Sequence, residues 1–136
     1  MAVIEELLRA EKDGTVSFGN YELPQKAKKE NFAHEGDILK VKTFKDITKL
    51  ECNDLFLYES VPGTTVTHYK EAEQGVSFEV EGAEDAQITL GMEENTAYNV
   101  VVNGKSMGQM TTGVGGKLSF SVELQPGTPA TVRVER

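Results

Sequence analysis

The amino-acid sequence predicts an all-β protein: an antiparallel β-sandwich, a smaller β-module before it, and one short N-terminal helix. Three observations carry this reading. The second half of the chain alternates apolar and polar residues with period two in five separate runs, as strands with one buried and one wet face do. Turn signals fall between those runs at roughly eight-to-twelve-residue spacing, the rhythm of a sandwich. Helical spacing of apolar residues is confined to the first segment.

That segment runs from Met1 to Asp13. Val3, Ile4, Leu7 and Leu8 recur at helical spacing, with Glu5, Glu6 and Arg9 on the other side, and Asp13-Gly14 supplies a stop. At roughly ten residues such a helix is unstable without a surface to pack on. It is expected either to cover one end of a sheet or to act as a detachable amphipathic peptide in a partner's groove. Thr15–Phe18 reads as a short strand, and Pro24 with Gln25–Asn31 as a lysine-rich connection. Asp37–Phe44 and Ile47–Glu51 read as a β-ribbon bent at Lys45-Asp46, and Asn53-Asp54 turns the chain into Leu55–Tyr58. Pro62-Gly63 marks the organisational boundary, giving a module of residues 1–60 and a sandwich of residues 61–136. One continuous sandwich of about ten strands is the alternative.

Beyond the boundary the alternation is clear. Val76, Phe78 and Val80 face one way, as do Ile88, Leu90 and Met92, then Tyr98, Val100 and Val102. Leu118, Phe120, Val122 and Leu124 follow, and finally Ala130, Val132 and Val134. Asn103-Gly104 is a strong hairpin signal, because a type I′ turn needs positive φ twice. Gly113, Gly115 and Gly116 read as a second hairpin turn and Pro126-Gly127 as a third. A phosphate-cradling glycine loop would instead open a helix and end in Lys-Ser/Thr.

Composition narrows the function. The 136 residues are 38% hydrophobic and 26% charged, enough apolar surface to fold without staples. No apolar run approaches the roughly 18 residues of a membrane span, and the N-terminus lacks a signal-peptide pattern. Cys52 is the single cysteine, which forbids an intrachain disulfide and predicts a reducing, cytoplasmic setting. The net charge of −8 is uneven: residues 1–49 hold nine basic and nine acidic side chains, and residues 50–136 five basic and thirteen acidic. Phosphate repels such a chain, so no nucleic-acid partner is expected.

Two resemblances add to this. Ala86–Asn103, AQITLGMEENTAYNVVVN, resembles the E–F corner of a fibronectin type III or immunoglobulin-like domain. Tyr98 would then be the corner tyrosine, its ring in the core and its hydroxyl bonded to nearby backbone. The NGKSMGQMTTGVGGKLSFSVEL that follows is similar to the β-sandwich tails of bacterial polysaccharide-processing enzymes, which are usually non-catalytic. The whole chain, through KVKTFKDITKLE and LFLYESVPGTTV, resembles a family of small leaderless clostridial proteins labelled endosialidase or endosialidase beta chain. That label implies an arginine triad and a tyrosine–glutamate pair. The chain offers only Arg9, Arg133 and Arg136, and Tyr58-Glu59 are adjacent, so on a strand they point to opposite faces.

The candidate chemistry is sparse. His34 and His68 have no second ligand at zinc spacing, and Cys52 has no diagnostic histidine partner. Glu79, Glu81, Glu84 and Asp85 form the densest acidic cluster, a weak calcium candidate whose spacing matches no calcium loop. Tyr21, Phe44, Tyr58 and Tyr69, with His68 beside the last, are aromatics able to stack on a sugar if they stand on wet positions. Seven lysines lie between Lys26 and Lys49. Lys40 and Lys42 share a strand face with Phe44, and Lys45 and Lys49 follow, so this segment is the expected interaction surface. Guarding exposed β-edges is the competing role for those lysines. The function expected is a non-enzymatic binding or scaffold protein without a cofactor, taking a protein partner, a carbohydrate or a second copy of itself. A carbohydrate-binding module or accessory subunit is the first alternative and a sialidase-like glycoside hydrolase the second.

Overall fold

The computed structural model describes residues 3–136, and every regular element among them is a β-strand. Seven strands form one antiparallel sheet in the order β1 (Leu8–Ala10), β2 (Val16–Phe18), β7 (Thr64–Ala72), β8 (Gly75–Gly82), β13 (Ala130–Glu135), β10 (Ala97–Val102) and β11 (Lys105–Thr111). Six form the other, in the order β12 (Lys117–Val122), β9 (Ala86–Gly91), β6 (Leu55–Val61), β5 (Ile47–Cys52), β4 (Asp37–Phe44) and β3 (Ala27–His34). The predicted alternation fills the space between them. Val76, Phe78, Val80, Ile88, Leu90, Tyr98, Val100, Leu118, Phe120, Val122, Val132 and Val134 all belong to one buried cluster with Leu8, Phe18, Val41, Leu50 and Tyr58. Strands from both sides of Pro62 therefore share both sheets and one core: β2 pairs with β7, and β6 with β9.

The expected N-terminal helix does not form. Met1 and Ala2 lie outside the described residues. From Ile4 onward the chain makes a tight turn, with the Leu7 N–H donating to the Ile4 carbonyl at 3.0 Å, and then enters β1. Leu7 adopts φ 72, which no helix tolerates. The spacing that reads as helical is a turn followed by a strand: Ile4 and Leu8 are both buried, one on each side of it. A segment too short to nucleate a helix gains more from the open hydrogen bonds of β2, whose Phe18 faces Leu8 in register.

Two smaller expectations also change. The lysine-rich connection is largely β3, an edge strand bulged between Lys29 and Phe32. The Gly113–Gly116 segment is not a hairpin turn, because β11 and β12 belong to different sheets. Its glycines carry the chain across the sandwich. The hairpins at Lys45-Asp46, Asn53-Asp54 and Asn103-Gly104 form as expected, the last with φ of 52 and 78, the pair of positive values that a type I′ turn needs.

One end of the sandwich is fastened by buried hydroxyls. The Thr64 N–H donates to Thr48 Oγ1 at 3.0 Å, Thr48 Oγ1 returns a bond to the Thr64 carbonyl at 2.8 Å, and Thr43 Oγ1 lies 2.8 Å from Thr48 Oγ1. Tyr58 Oη and Ser60 Oγ each lie 2.7 Å from Thr64 Oγ1. These bonds run from β4, β5 and β6 of one sheet to the start of β7 in the other, so that end is closed. Tyr98 is buried, and its hydroxyl accepts from the Glu93 backbone N–H at 3.2 Å. Among the described residues no helix is long and apolar enough to cross a membrane.

Candidate functional site

The lysine segment folds into a surface on the outer face of the six-stranded sheet. Val41 and Thr43 of β4 point into the core and are buried, so Lys40 and Lys42 between them point outward. Cross-strand register then sets one row across the sheet: Lys28 faces Lys42, Lys42 faces Lys49, Lys49 faces Glu59, and Glu59 faces Thr89. Three lysines thus stand side by side on β3, β4 and β5. Glu51 accepts from Lys40 at 3.1 Å and lies 3.9 Å from Lys49, and its carboxylate raises the Lys40 pKa. Among the described residues Lys28 and Lys42 have no ion-pair partner, although they oppose each other directly. Like charges placed so are destabilising. Lys28 lies on an edge strand, where it can discourage pairing, but β4 and β5 are interior strands and have no edge to protect. Further along the same face, Phe56 has Lys49 Nζ at 6.0 Å and Lys117 Nζ at 5.0 Å from its ring centre. Its backbone rests on Gly91, where a side chain would meet the Phe56 carbonyl at 2.2 Å.

The other expected site residues do not gather here. Phe44 is half-buried at the end of β4, and Lys45 is exposed in the turn after it. Tyr58 is fully buried in the core, its ring edge-on to Phe18 and Phe78. Burial raises its phenol pKa well above the usual range, and no ligand reaches it. Tyr69 is buried on the inner face, whereas His68 is exposed at a bulge in β7 with φ 55. No aromatic platform is formed by these residues. His68 Nδ1 lies 3.2 Å from Thr15 Oγ1 and 3.4 Å from Asp13 Oδ2. Because hydroxyl and carboxylate share one ring nitrogen, the imidazole cannot relay a proton between them as a catalytic triad does.

The acidic cluster disperses as well. Glu81 is buried, with Oε2 accepting from the Tyr21 hydroxyl at 2.8 Å and from the Gly127 N–H at 3.2 Å. Glu84 is exposed in a turn, Asp85 accepts from the Leu124 N–H at 3.0 Å, and Glu79 is half-buried on β8. Among the described residues no three His, Cys, Asp or Glu side chains converge to hold a metal ion. The arginines are also apart. Arg9 on β1 pairs with Glu11 at 3.1 Å and is separated from Arg133 on β13 by three intervening strands.

A second concave feature, invisible in the sequence, opens at the end of the sandwich opposite the threonine fastening. It is a cleft of about 370 Å³ between β2 and β7 of one sheet and β4, β5 and β6 of the other. Leu39, Leu50, Leu57 and Val16 line it, together with Tyr69 and the titratable side chains of His34, Asp37, Cys52 and Glu71. His34 Nε2 donates to the Gly14 carbonyl at 3.1 Å, joining the β3–β4 turn to the loop before β2. Withdrawal from water raises the Glu71 carboxyl pKa, and Asp37 adds to the shift. Burial raises the Cys52 thiol, with Asp37 and Glu71 adding to it. A thiol held protonated in this way is a poor nucleophile. These residues come from separate elements with no common spacing, so no sequence motif could have announced them.

In comparisons with known proteins, no family model, no curated protein and no solved structure matches this chain.

Proposed function

We propose that this is a non-enzymatic binding or scaffold protein, which engages an acidic protein partner through the lysine row on the outer face of the six-stranded sheet. The observation that carries this reading is the direct opposition of Lys28 and Lys42, without ion-pair partners among the described residues, beside Lys49 on a further strand. Protection of edges does not account for Lys42 and Lys49. A surface kept at a cost in stability is what a binding face looks like. A cytoplasmic setting fits the unpaired thiol of Cys52. At finer grain we propose an immunoglobulin-like sandwich, supported by the Tyr98 corner bond to Glu93. The position of β13, between β8 and β10 inside its sheet, departs from the constant-domain order.

A carbohydrate-binding role is the second reading, favoured by Phe56 between Lys49 and Lys117 on the same face. An anionic glycan would use the aromatic and the cations together.

Lys28→Glu tests the proposal with opposite signs in two measurements. It converts a like-charge pair into an opposite-charge pair, so stability should rise by about 0.2–1 kcal/mol. Capture of acidic partners by the purified protein should fall, and wild-type capture should weaken as salt rises past about 0.15 M, where screening acts over roughly 8 Å. Glutamate guards a β-edge as well as lysine does, so the edge role alone predicts no loss of capture. An unchanged set of captured proteins would remove the lysine row from the function. A glycan array separates the two readings, since selective retention of a soluble acidic oligosaccharide would favour the second.

A further inference from the structure

The cleft between the sheets holds a tyrosine hydroxyl with no protein partner among the described residues. Tyr69 is only 5% exposed, and its ring is fixed by stacking on Phe78 at 27° and by an edge contact with Phe18. Its hydroxyl end is the part that meets the cleft, whose walls also carry Glu71 and Cys52. The ring is buried, but the hydroxyl itself opens on the cleft, where it can bond a polar atom of a ligand.

The surroundings decide which atom. Asp13, Glu35, Asp37 and Glu71 line the cleft against the single cation Lys70. Leu39, Leu50 and Leu57 give the same cleft an apolar lining. An ammonium group carries three N–H donors and no acceptor, and the Tyr69 hydroxyl, Asp37 and Glu71 are three acceptors on the walls of one cavity. We infer that this cleft is a binding site for an alkylammonium ion, a primary amine on a short hydrocarbon chain, with Tyr69, Asp37 and Glu71 receiving the ammonium and the leucines receiving the chain. A free amine and a lysine side chain present the same chemistry. None of these residues belongs to the lysine row on the outer face, so this site stands or falls independently of that one.

The test is a titration of the ¹⁵N-labelled full chain at neutral pH with pentylamine, with pentan-1-ol as the uncharged control. Amide shifts are expected around residues 37–39, 50–52 and 69–71. A charge-assisted hydrogen bond should make the amine bind roughly tenfold tighter than the alcohol. Glu71→Gln should weaken the amine several-fold and leave the alcohol unchanged, and Tyr69→Phe, which keeps the ring packing, should weaken the amine several-fold. Nα-acetyl-lysine N-methylamide serves as a second probe, and the tighter of the two amines identifies the source. Equal affinity for amine and alcohol would overturn the inference. So would shifts centred on exposed carboxylates elsewhere, such as Glu93 and Glu94, or amine binding that survives both substitutions intact.

Discussion

Single hydroxyls illustrate how much of this fold rests on polar groups inside an apolar sandwich. Tyr98→Phe removes the acceptor of the Glu93 N–H and nothing else. It should cost about 1–2 kcal/mol, seen as a fall of roughly 3–7 °C in the thermal midpoint, and an unchanged midpoint would dismiss the corner bond. Tyr21 reports on pH. Burial, and after it the hydrogen bond to Glu81, push its phenol up to about 12 from an ordinary 10. The folded protein therefore keeps a proton that the unfolded chain releases, and stability should fall as pH rises from 10 towards 12. The contribution is complete below pH 10. Tyr21→Phe should remove one proton's share of that alkaline slope in denaturant titrations, leaving the share of buried Tyr58 and Tyr69. A slope unchanged by the substitution would assign all of it to other groups. The aromatic residues also show where sequence reading stops. Tyr98 was legible because an Asn-Thr corner precedes it, whereas Tyr58, Tyr69 and Tyr21 carry no local sign of whether they face water, core or cleft.

At the scale of elements, alternation was a reliable guide and helical spacing was not. Strands β8, β9, β10, β12 and β13 follow the period-two pattern because each has one face on the core and one in water, so the pattern and the burial are the same fact. The first segment misled because Ile4 and Leu8 sit at a spacing of four for a different reason: a four-residue turn separates them. Assembly of the cleft and of the lysine row was beyond reach for a related reason. Register between strands that are distant in sequence decides which side chains meet, and nothing local encodes that Lys28 will face Lys42. The strand at the start now makes a sharper prediction than a helix would. Deleting residues 1–10 removes β1, uncovers the edge of β2 and exposes the sites of Ile4 and Leu8, each worth roughly 1.5–3 kcal/mol when buried. The shortened chain should melt lower and self-associate through the bare edge. A monodisperse product with the wild-type midpoint would show that β1 contributes nothing.

Across the whole molecule the acidic excess is not one face. Glu59 lies on the lysine row's own sheet, Glu79 on the opposite sheet, Glu81 is buried, and Glu93 and Glu94 lie in a turn. The imbalance along the sequence is therefore spread over both sheets and the connections between strands. Connectivity matters more for how the chain behaves. The sequence order of strands is broken wherever the halves meet: β2 reaches forward to β7, and β6 to β9. The hydroxyl fastening adds Thr48 and Thr64 across the same boundary. Separating the chain at residue 60 would leave β7 and β9 with open edges and would remove Phe18, Leu50 and Tyr58 from the shared core. Unfolding is thus expected as one transition, with calorimetric and van't Hoff enthalpies equal and near roughly 95 kcal/mol at 60 °C for a chain of this length. A fragment of residues 61–136 should lack dispersed amide resonances on its own and gain them when residues 1–60 are added. Two resolved transitions in the intact chain, or a folded isolated fragment, would show instead that the C-terminal strands are a self-sufficient sandwich and that the N-terminal strands only pack onto it.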